Sequence, residues 1–366
     1  MGSTPVTVLG GGNTAFSVAA RLSLKGFEVT LFEHPDHADS VAELARANTI
    51  ALDGVLETGP AHIRKITIDP REALDASDLL LLIVPAYAHK AFAEICAPYL
   101  RPEHIVVVMP GTLGTLEWAR IGAEFNSGSF TLAEVDTAPY VCRKTSPSSA
   151  VIWGEVTGLG LGVLPSSRTE EVRNALDPLF PGITAYDDVM ACGLSAMNPV
   201  VHPAGVLMNA GRVEYSRGEF YFYEEGVTRS VAKVIMQVDE ERREVGRALG
   251  YDLSPVNKGF HDAGFGPCGD LWSTINGSYM LTRLKAPGSL ESRWLTEDIP
   301  YGLAAWSRVG TQFGVETPIM DAFVTVGSIV MGFDAWKEGR GPRELGISGM
   351  GIQELKRFLE TGIISD

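Results

Sequence analysis

Apolar residues in the first half of the chain follow two alternating rhythms. The runs PVTVLG, FEVTLFE, DLLLLIVP and HIVVVMPG are short, rich in aliphatic residues and close to continuously apolar at their centres. That is the pattern of strands covered on both faces of a parallel sheet. Between them, NTAFSVAARLSLKG, SVAELARAN and AYAHKAFAEICAPYL space their apolar residues three and four apart, as helices do. In the first of these Phe16, Ala19, Ala20 and Leu22 make the stripe, and Gly26 is placed as the stop. Ser129–Cys142 reads as a further strand with a turn after it. This β-α-β alternation predicts a doubly wound sheet with right-handed crossovers.

From about residue 188 the strand rhythm ends. Residues 227–250 read as one long helix, with Val231, Val234, Ile235, Val238, Val245 and Leu249 as its apolar stripe and Gly250 as its end. Its DEERRE run reads as a solvated face with charge pairs one turn apart. IPYGLAAWSRVGTQFGV and TPIMDAFVTVGSIVMG read as two packed helices, and MGIQELKRFLETG as a short amphipathic one. The 366 residues suffice for two cores. The expected fold is α/β, a Rossmann domain over 1–187 followed by an all-helical domain over 188–366.

The turn after the first strand carries Gly10-Gly11-Gly12-Asn13-Thr14-Ala15, a G-x-G-x-x-A dinucleotide signature opening a helix. The first glycine permits the tight turn, Gly12 lets backbone approach a pyrophosphate, and Ala15 lets helix pack on strand. The helix N-terminus offers N–H groups to phosphate. Glu33 ends the second strand, 21 residues after Gly12, where an acid accepts from the adenosine-ribose hydroxyls and repels a 2′-phosphate. NAD is therefore the expected cofactor, with NADP left open, and a solvated strand-end acid is the plain alternative. Pro85 and Gly111 follow two more strands and are expected at the same sheet edge, where ligands sit in open α/β folds.

Charge and composition narrow the class. The net charge is −15 and the pI near 5.0, which opposes nucleic-acid partners and anionic membrane surfaces. Four dispersed cysteines, Cys96, Cys142, Cys192 and Cys268, suggest neither zinc nor disulfides. Neither a signal peptide nor a myristoylation pattern at Gly2 is recognised, and DLLLLIVPAYA is too short to span a bilayer. A cytoplasmic enzyme without membrane association is the expectation.

The stretch SAMNPVVHPAGVLMNAGRVE, 195–214, sets His202 among Pro199 and Pro203. Prolines lack an N–H and clash with the preceding turn, so a broken or kinked helix is expected, presenting the imidazole to a cleft. Asn198 shares that face if the helix is continuous, where it meets the nicotinamide side or the substrate; alternatively it is an N-cap with Pro199 at N1. His202 itself reads either as a satisfied core histidine or as a working group. Further on, ESRWLTEDIPYGL gathers Arg293, Glu297 and Asp298 ahead of a helix, with an N-cap role for Asp298 as the alternative. The remaining histidines have no metal-ligand spacing, so no metal is expected.

Three pieces of the chain, VLGGGNTAFSVAARLSLKGFEVTLFE, NPVVHPAGVLMNAGRVE with FYEEGVTRSVAKVIMQVDEER, and RWLTEDIPYGL, resemble the octopine/nopaline-type opine dehydrogenases in order and spacing. The resemblance implies condensation of a 2-oxo acid, such as pyruvate, with the amino group of an amino acid or another amine, and reduction of the imine by NADH or NADPH. It implies that His202 is the catalytic histidine, Asp298 its carboxylate partner and Arg293 the grip on a substrate carboxylate. The glycine loop departs from many relatives, which have Asn-Gly-Gly after the second glycine. Two other readings stand beside it. A ketopantoate-reductase-like oxo-acid enzyme would carry a lysine near the working helix position, where only Lys233 is close. A catalytically silent NAD-binding sensor would bind without turnover. The apolar helices of the second domain leave a homodimer and burial within one chain as alternatives.

Overall fold

The computed structural model describes residues 4–125 and 130–363; Gly2 and Ser129 lie outside them. The chain divides into two compact units, one of Met1–Gly193 with Arg357–Asp366, the other of Leu194–Lys356. The expected boundary at 187/188 thus shifts to 193/194. The reason is packing: Gly162 has no room for a Cβ against Asp188, Val189 and Cys192, and Gly193 none against Leu113 and Glu134. The last helix is assigned to the first unit only from Arg357 on, and Gly362 after it lies against Pro165.

The first unit contains β1 (Pro5–Leu9), α1 (Asn13–Leu24), β2 (Glu28–Phe32), β3 (Thr49–Gly54), β4 (Gly59–His62), β5 (Lys65–Thr67), β6 (Leu79–Leu82), β7 (Ile105–Val108), α2 (Gly114–Glu124), β8 (Thr131–Val135), β9 (Tyr140–Ser146), β10 (Ser149–Glu155), β11 (Gly160–Leu164) and β12 (Thr184–Ala185). Eight of these strands form one sheet in the order β12-β11-β8-β7-β6-β1-β2-β5. β1 runs parallel to β2 and β6, and β6 to β7, with Leu9 level with Phe32 and Leu82, and Leu82 with Val108. Their carboxyl ends therefore share one edge, which collects the glycine turn, Glu33, Pro85 and Gly111. The apolar runs are buried on both faces as expected: Leu79–Leu82 and Ile105–Val108 are buried throughout.

Two features depart from the simple alternation. β11 pairs antiparallel to β8, so the sheet is mixed at one side. A second sheet, ordered β4-β3-β10-β9, takes up 49–62 and 140–155. Its strands carry polar and exposed positions on one face, as in Tyr140–Ser146, so they lack the continuous apolar signature by which the others were legible.

The second unit is helical, with one isolated bridge between Tyr221 and Lys285. Its principal helices are α3 (Asn198–Leu207), α4 (Arg229–Ala248), α5 (Ala304–Gln312) and α6 (Pro318–Met331). Thr228 caps α4 by accepting from Val231 N. The DEERRE run is not a solvated face. Asp239, Glu241 and Arg242 are buried: Arg242 pairs with Asp239 and donates to the Leu194 and Ser254 carbonyls. The Glu241 carboxylate accepts from Ile319 N and Met320 N, both 2.8 Å, capping α6. A buried charge needs such partners, and here they lie on distant segments. Among the described residues no helix is long and apolar enough to cross a membrane.

One half-buried carboxyl fastens the antiparallel side of the large sheet. Asp136 accepts from the Tyr186 hydroxyl (2.9 Å) and Gly160 N (3.0 Å), and burial raises its pKa to about 6. A folded-state value above the unfolded one means that the folded state holds the proton more tightly, so stability at this site falls as pH rises from about 4 to about 6. Asp136→Asn is expected to remove that slope and to gain stability over wild type, on the order of 2 kcal/mol at pH 7.5. Urea melts of both proteins at pH 4.5 and 7.5 test this; an equal wild-type advantage at both values would refute it.

Candidate active site

At the sheet edge of the first unit, Gly10 adopts φ +121°, and a Cβ there would strike the Ile83 carbonyl, a conformation and a clearance that only glycine meets. Gly12 stands at the N-cap of α1 without a side-chain cap, and a Cβ there would meet nothing within 4 Å. Open space in front of uncapped helix amides fits a diphosphate. Asn13 Oδ1 accepts from Lys144 N (3.0 Å), Thr14 Oγ1 takes the Cys142 thiol, and Ala15 is buried against the sheet. Glu33 is not a solvated strand-end acid. It is buried, accepts from His34 N (2.8 Å) and the Ser40 hydroxyl (3.1 Å), and lies so close to Gly11 that no Cβ fits there. Pro85 caps the turn Ala86–Ala88.

Gly111 is held from beneath by a residue the sequence reading overlooked. Glu134, fully buried on β8, accepts from Leu113 N (3.0 Å), Thr115 N (3.2 Å) and the Thr115 hydroxyl. It fixes the turn into α2, whose Thr112 and Leu113 both have positive φ. A Cβ on Gly111 would strike the Glu134 side chain. Only the turn's local strain, invisible in sequence, marks Glu134 as more than a strand residue.

In the second unit, His202 and Asp298, 96 positions apart, meet at 2.8 Å between Nδ1 and Oδ2. Both side chains are nearly buried, 9% and 12% exposed. A carboxylate only accepts, so Nδ1 carries a proton and Nε2 is left to exchange one. Nε2 faces the Tyr223 hydroxyl at 3.2 Å. Burial pushes the Tyr223 phenol well above its usual range, so it stays a hydroxyl, donating to neutral imidazole and accepting from imidazolium. Trp294 stacks on the imidazole with centroids 4.3 Å apart and planes within 5°, a face that stabilises a cation. Phe222 meets Trp294 and Tyr223 edge-on.

α3 positions the histidine without breaking. Asn198 to Leu207 is one helix with Pro203 inside it, which corrects the expected break. Pro199 falls in the first turn, where no N–H partner is needed, and Pro203 costs a single bond. Their use is in packing: Gly302 has no space for a Cβ against Pro199, and Gly205 none against the Phe222 ring. These notches dock two wide π-helical turns on α3, Phe222–Gly226 carrying Tyr223 and Asp298–Leu303 carrying Asp298. Such turns re-aim side chains and recur at functional sites. Asn209 ties the first of them to α3 by donating to the Gly205 and Gly226 carbonyls, 2.9 and 3.0 Å. Asp298 is therefore no N-cap; its turn is capped from Glu297 without a side-chain bond.

The other two expected residues of this unit, Asn198 and Arg293, are exposed. Asn198 is exposed at the start of α3, one turn before His202, and the N-cap position belongs to Met197. Arg293 shares the short helix Arg293–Thr296 with Trp294; its side chain is 58% exposed, with Nη1 3.5 Å from Glu297 Oε2. Nothing local in the sequence sets Trp294 apart. Aromatics at helical spacing carry no mark that separates core from site.

Residues 185–331 match the family model for the α-helical domain of NAD/NADP octopine/nopaline dehydrogenase, and 5–113 that for the N-terminus of NAD-dependent glycerol-3-phosphate dehydrogenase. A curated opine dehydrogenase of Arthrobacter sp. (strain 1C) is 28% identical over 98% of this chain and 99% of its own. Over nearly its whole length the chain is thus similar to opine dehydrogenases. The solved octopine dehydrogenase with NADH and agmatine superposes with a TM-score of 0.81 at 20% identity, covering 100% of this chain and 99% of that one. An octopine dehydrogenase solved with NADH and pyruvate gives 0.76 at 21%, again over 100% and 99%. The helical unit holds a closed histidine–carboxylate pair and the first unit an open glycine turn.

The notches yield a direct expectation. Gly302→Ala and Gly205→Ala should each cost about 1–3 kcal/mol by overpacking. Gly211→Ala, in the helix Ala210–Ser216 with open space around it, should be neutral or gain up to about 1 kcal/mol. Denaturant unfolding of the three variants checks it; equal effects at all three positions would remove the docking role of the notches.

Proposed function

We propose that the protein is an NAD(P)-dependent oxidoreductase of the opine type, joining a 2-oxo acid to the amino group of an amino acid or another amine and reducing the imine to a secondary amine. The observation that carries this reading is the buried His202–Asp298 pair in a chain that also folds a dinucleotide-binding turn. The Gly10–Ala15 turn fits the cofactor by its positive φ at Gly10 and open space at Gly12. Asn13, Thr14 and Ala15 line that turn, Glu33 takes the adenosine ribose, and Pro85 and Gly111 border the edge. When bound, the cofactor supplies the hydride.

The chain supplies the proton. Condensation of oxo acid and amine passes through a carbinolamine whose hydroxyl must leave as water, and the imine must be protonated before it accepts hydride well. His202 Nε2 gives the proton to that oxygen. Asp298 holds the ring in one tautomer and compensates the imidazolium, and Trp294 keeps its plane. Tyr223 holds Nε2 in the resting state. Arg293, with an exposed side chain, grips the oxo-acid carboxylate through two hydrogen bonds. Asn198, one turn from His202, contacts substrate or the nicotinamide side.

Two finer readings complete it. Val326, Ile329 and Val330 on α6 are exposed, which favours a homodimer through this helix. Among the described residues Cys96, Cys142, Cys192 and Cys268 form no disulfide, which suits a reducing cytoplasm.

NADH and NADPH oxidation with pyruvate, oxaloacetate or 2-oxoglutarate, each crossed with amino acids and amines, is expected to require both substrates. Activity with oxo acid alone would point to a hydroxy-acid enzyme. His202→Ala and Asp298→Asn are expected to lose about 10²–10⁴-fold in kcat, with NADH affinity unchanged. A histidine variant at near-wild-type turnover would remove His202 from the reaction. Sedimentation of Ile329→Glu beside wild type tests the dimer; a wild-type monomer would end that reading.

A further inference from the structure

We propose that Lys144 gives the adenosine-ribose site a cationic wall, so that it admits a 2′-phosphate and the protein binds NADPH as well as NADH. The inference rests on the dinucleotide reading of the Gly10–Ala15 turn. Taken alone, Glu33 excludes a 2′-phosphate by charge repulsion.

The geometry adds an opposing charge at the same place. Lys144 arrives from β9, in the smaller sheet, and is half-buried. Its Nζ donates to the Ser40 carbonyl (3.0 Å) and the Gly11 carbonyl (3.5 Å), and lies 3.6 Å from the Phe16 ring centroid on α1. Its backbone N–H donates to Asn13 Oδ1. Ser40 and Gly11 are also the residues against Glu33: the Ser40 hydroxyl donates to that carboxylate, and Gly11 packs on it. Ammonium and carboxylate therefore flank the same two residues, between the glycine turn and the segment after β2.

Their present partners differ in how easily they yield. The ammonium has three donors, and the two acceptors that hold it are neutral carbonyls. A phosphate dianion is the stronger acceptor. Burial also disfavours the charge on Lys144, a cost that an anion relieves. The Glu33 carboxylate already takes the His34 amide and the Ser40 hydroxyl, which spreads its charge and softens its repulsion of phosphate. A ribose hydroxyl gains from Glu33 and a 2′-phosphate from Lys144, so each form of the cofactor finds one favourable charge.

Fluorescence titration of NADH and NADPH into wild type, Lys144→Met, Lys144→Arg and Glu33→Gln tests the proposal by binding, independently of turnover. Methionine keeps the side chain over Phe16, arginine keeps the charge, and thermal melts check folding. Wild type is expected to bind both dinucleotides within about tenfold of each other. Lys144→Met should weaken NADPH by about tenfold or more beyond any change for NADH, the loss expected for one hydrogen bond to a charged group. Lys144→Arg should stay within about threefold of wild type, and Glu33→Gln should move the ratio toward NADPH. Equal losses for both dinucleotides in Lys144→Met would make Lys144 a strap for the glycine turn and overturn the proposal. So would no change, or a wild type that binds NADH but not NADPH. A wild type that binds neither overturns the dinucleotide reading with it. Binding without turnover sinks only the catalytic reading.

Discussion

A single hydrogen bond, His202 Nδ1 to Asp298 Oδ2, governs how the second unit is built. Two ionisable groups withdrawn from water are tolerable only when each satisfies the other. Leaving either one alone costs about 3–5 kcal/mol in buried pairs of this kind. The elements around them must therefore hold to a fraction of an ångström. Pro199 seats in the notch of Gly302, Phe222 in the notch of Gly205, and Ile299 against Gly327, so that two wide turns present their side chains to one ring. Asn209 then ties the Tyr223 turn to α3 by two carbonyls. Small residues supply proximity, and proximity supplies the alignment.

The first unit solves a different problem with the same economy of means. Its ligand edge is made of strand ends brought level by parallel pairing, and the turns that follow them need conformations that most residues avoid. Gly10 takes positive φ, and so do Thr112 and Leu113, the latter pair pinned by the buried Glu134 carboxylate. Buried charge appears again and again as a fastener: Glu134 under the 111–115 turn, Glu241 at the head of α6, Arg242 across two segments. A chain of net charge −15 thus places part of its acidity inside, where backbone N–H groups receive it.

Much of this was legible beforehand because it depends on local periodicity. The glycine turn, the strands from Leu79 and Ile105, and α4 with its Val231–Leu249 stripe declare themselves within a few residues. The partnership of His202 with Asp298 was legible only through family resemblance, since nothing local joins positions 96 apart. What stayed hidden depends on tertiary partners. The strand at Tyr140–Ser146 is too polar to announce itself. The DEERRE run looks like any solvated helix face until Ile319 and Ser254 arrive to meet it. Pro203 breaks helices in general, yet α3 absorbs it because packing on both sides outweighs one lost bond. Trp294 resembles any core aromatic, and its parallel stack on His202 is a fact of three dimensions only.

The central claim is that Asp298 fixes the histidine tautomer so that Nε2 is the proton-exchanging atom. Nitrogen-15 NMR of the imidazole tests it most directly, with the His202 signals assigned by comparison with His202→Ala. The account predicts a proton resident on Nδ1 across the titration, with Nε2 alone changing between acceptor and donor, and loss of that preference in Asp298→Asn. A neutral tautomer protonated at Nε2, with Nδ1 bare toward Asp298, would contradict it.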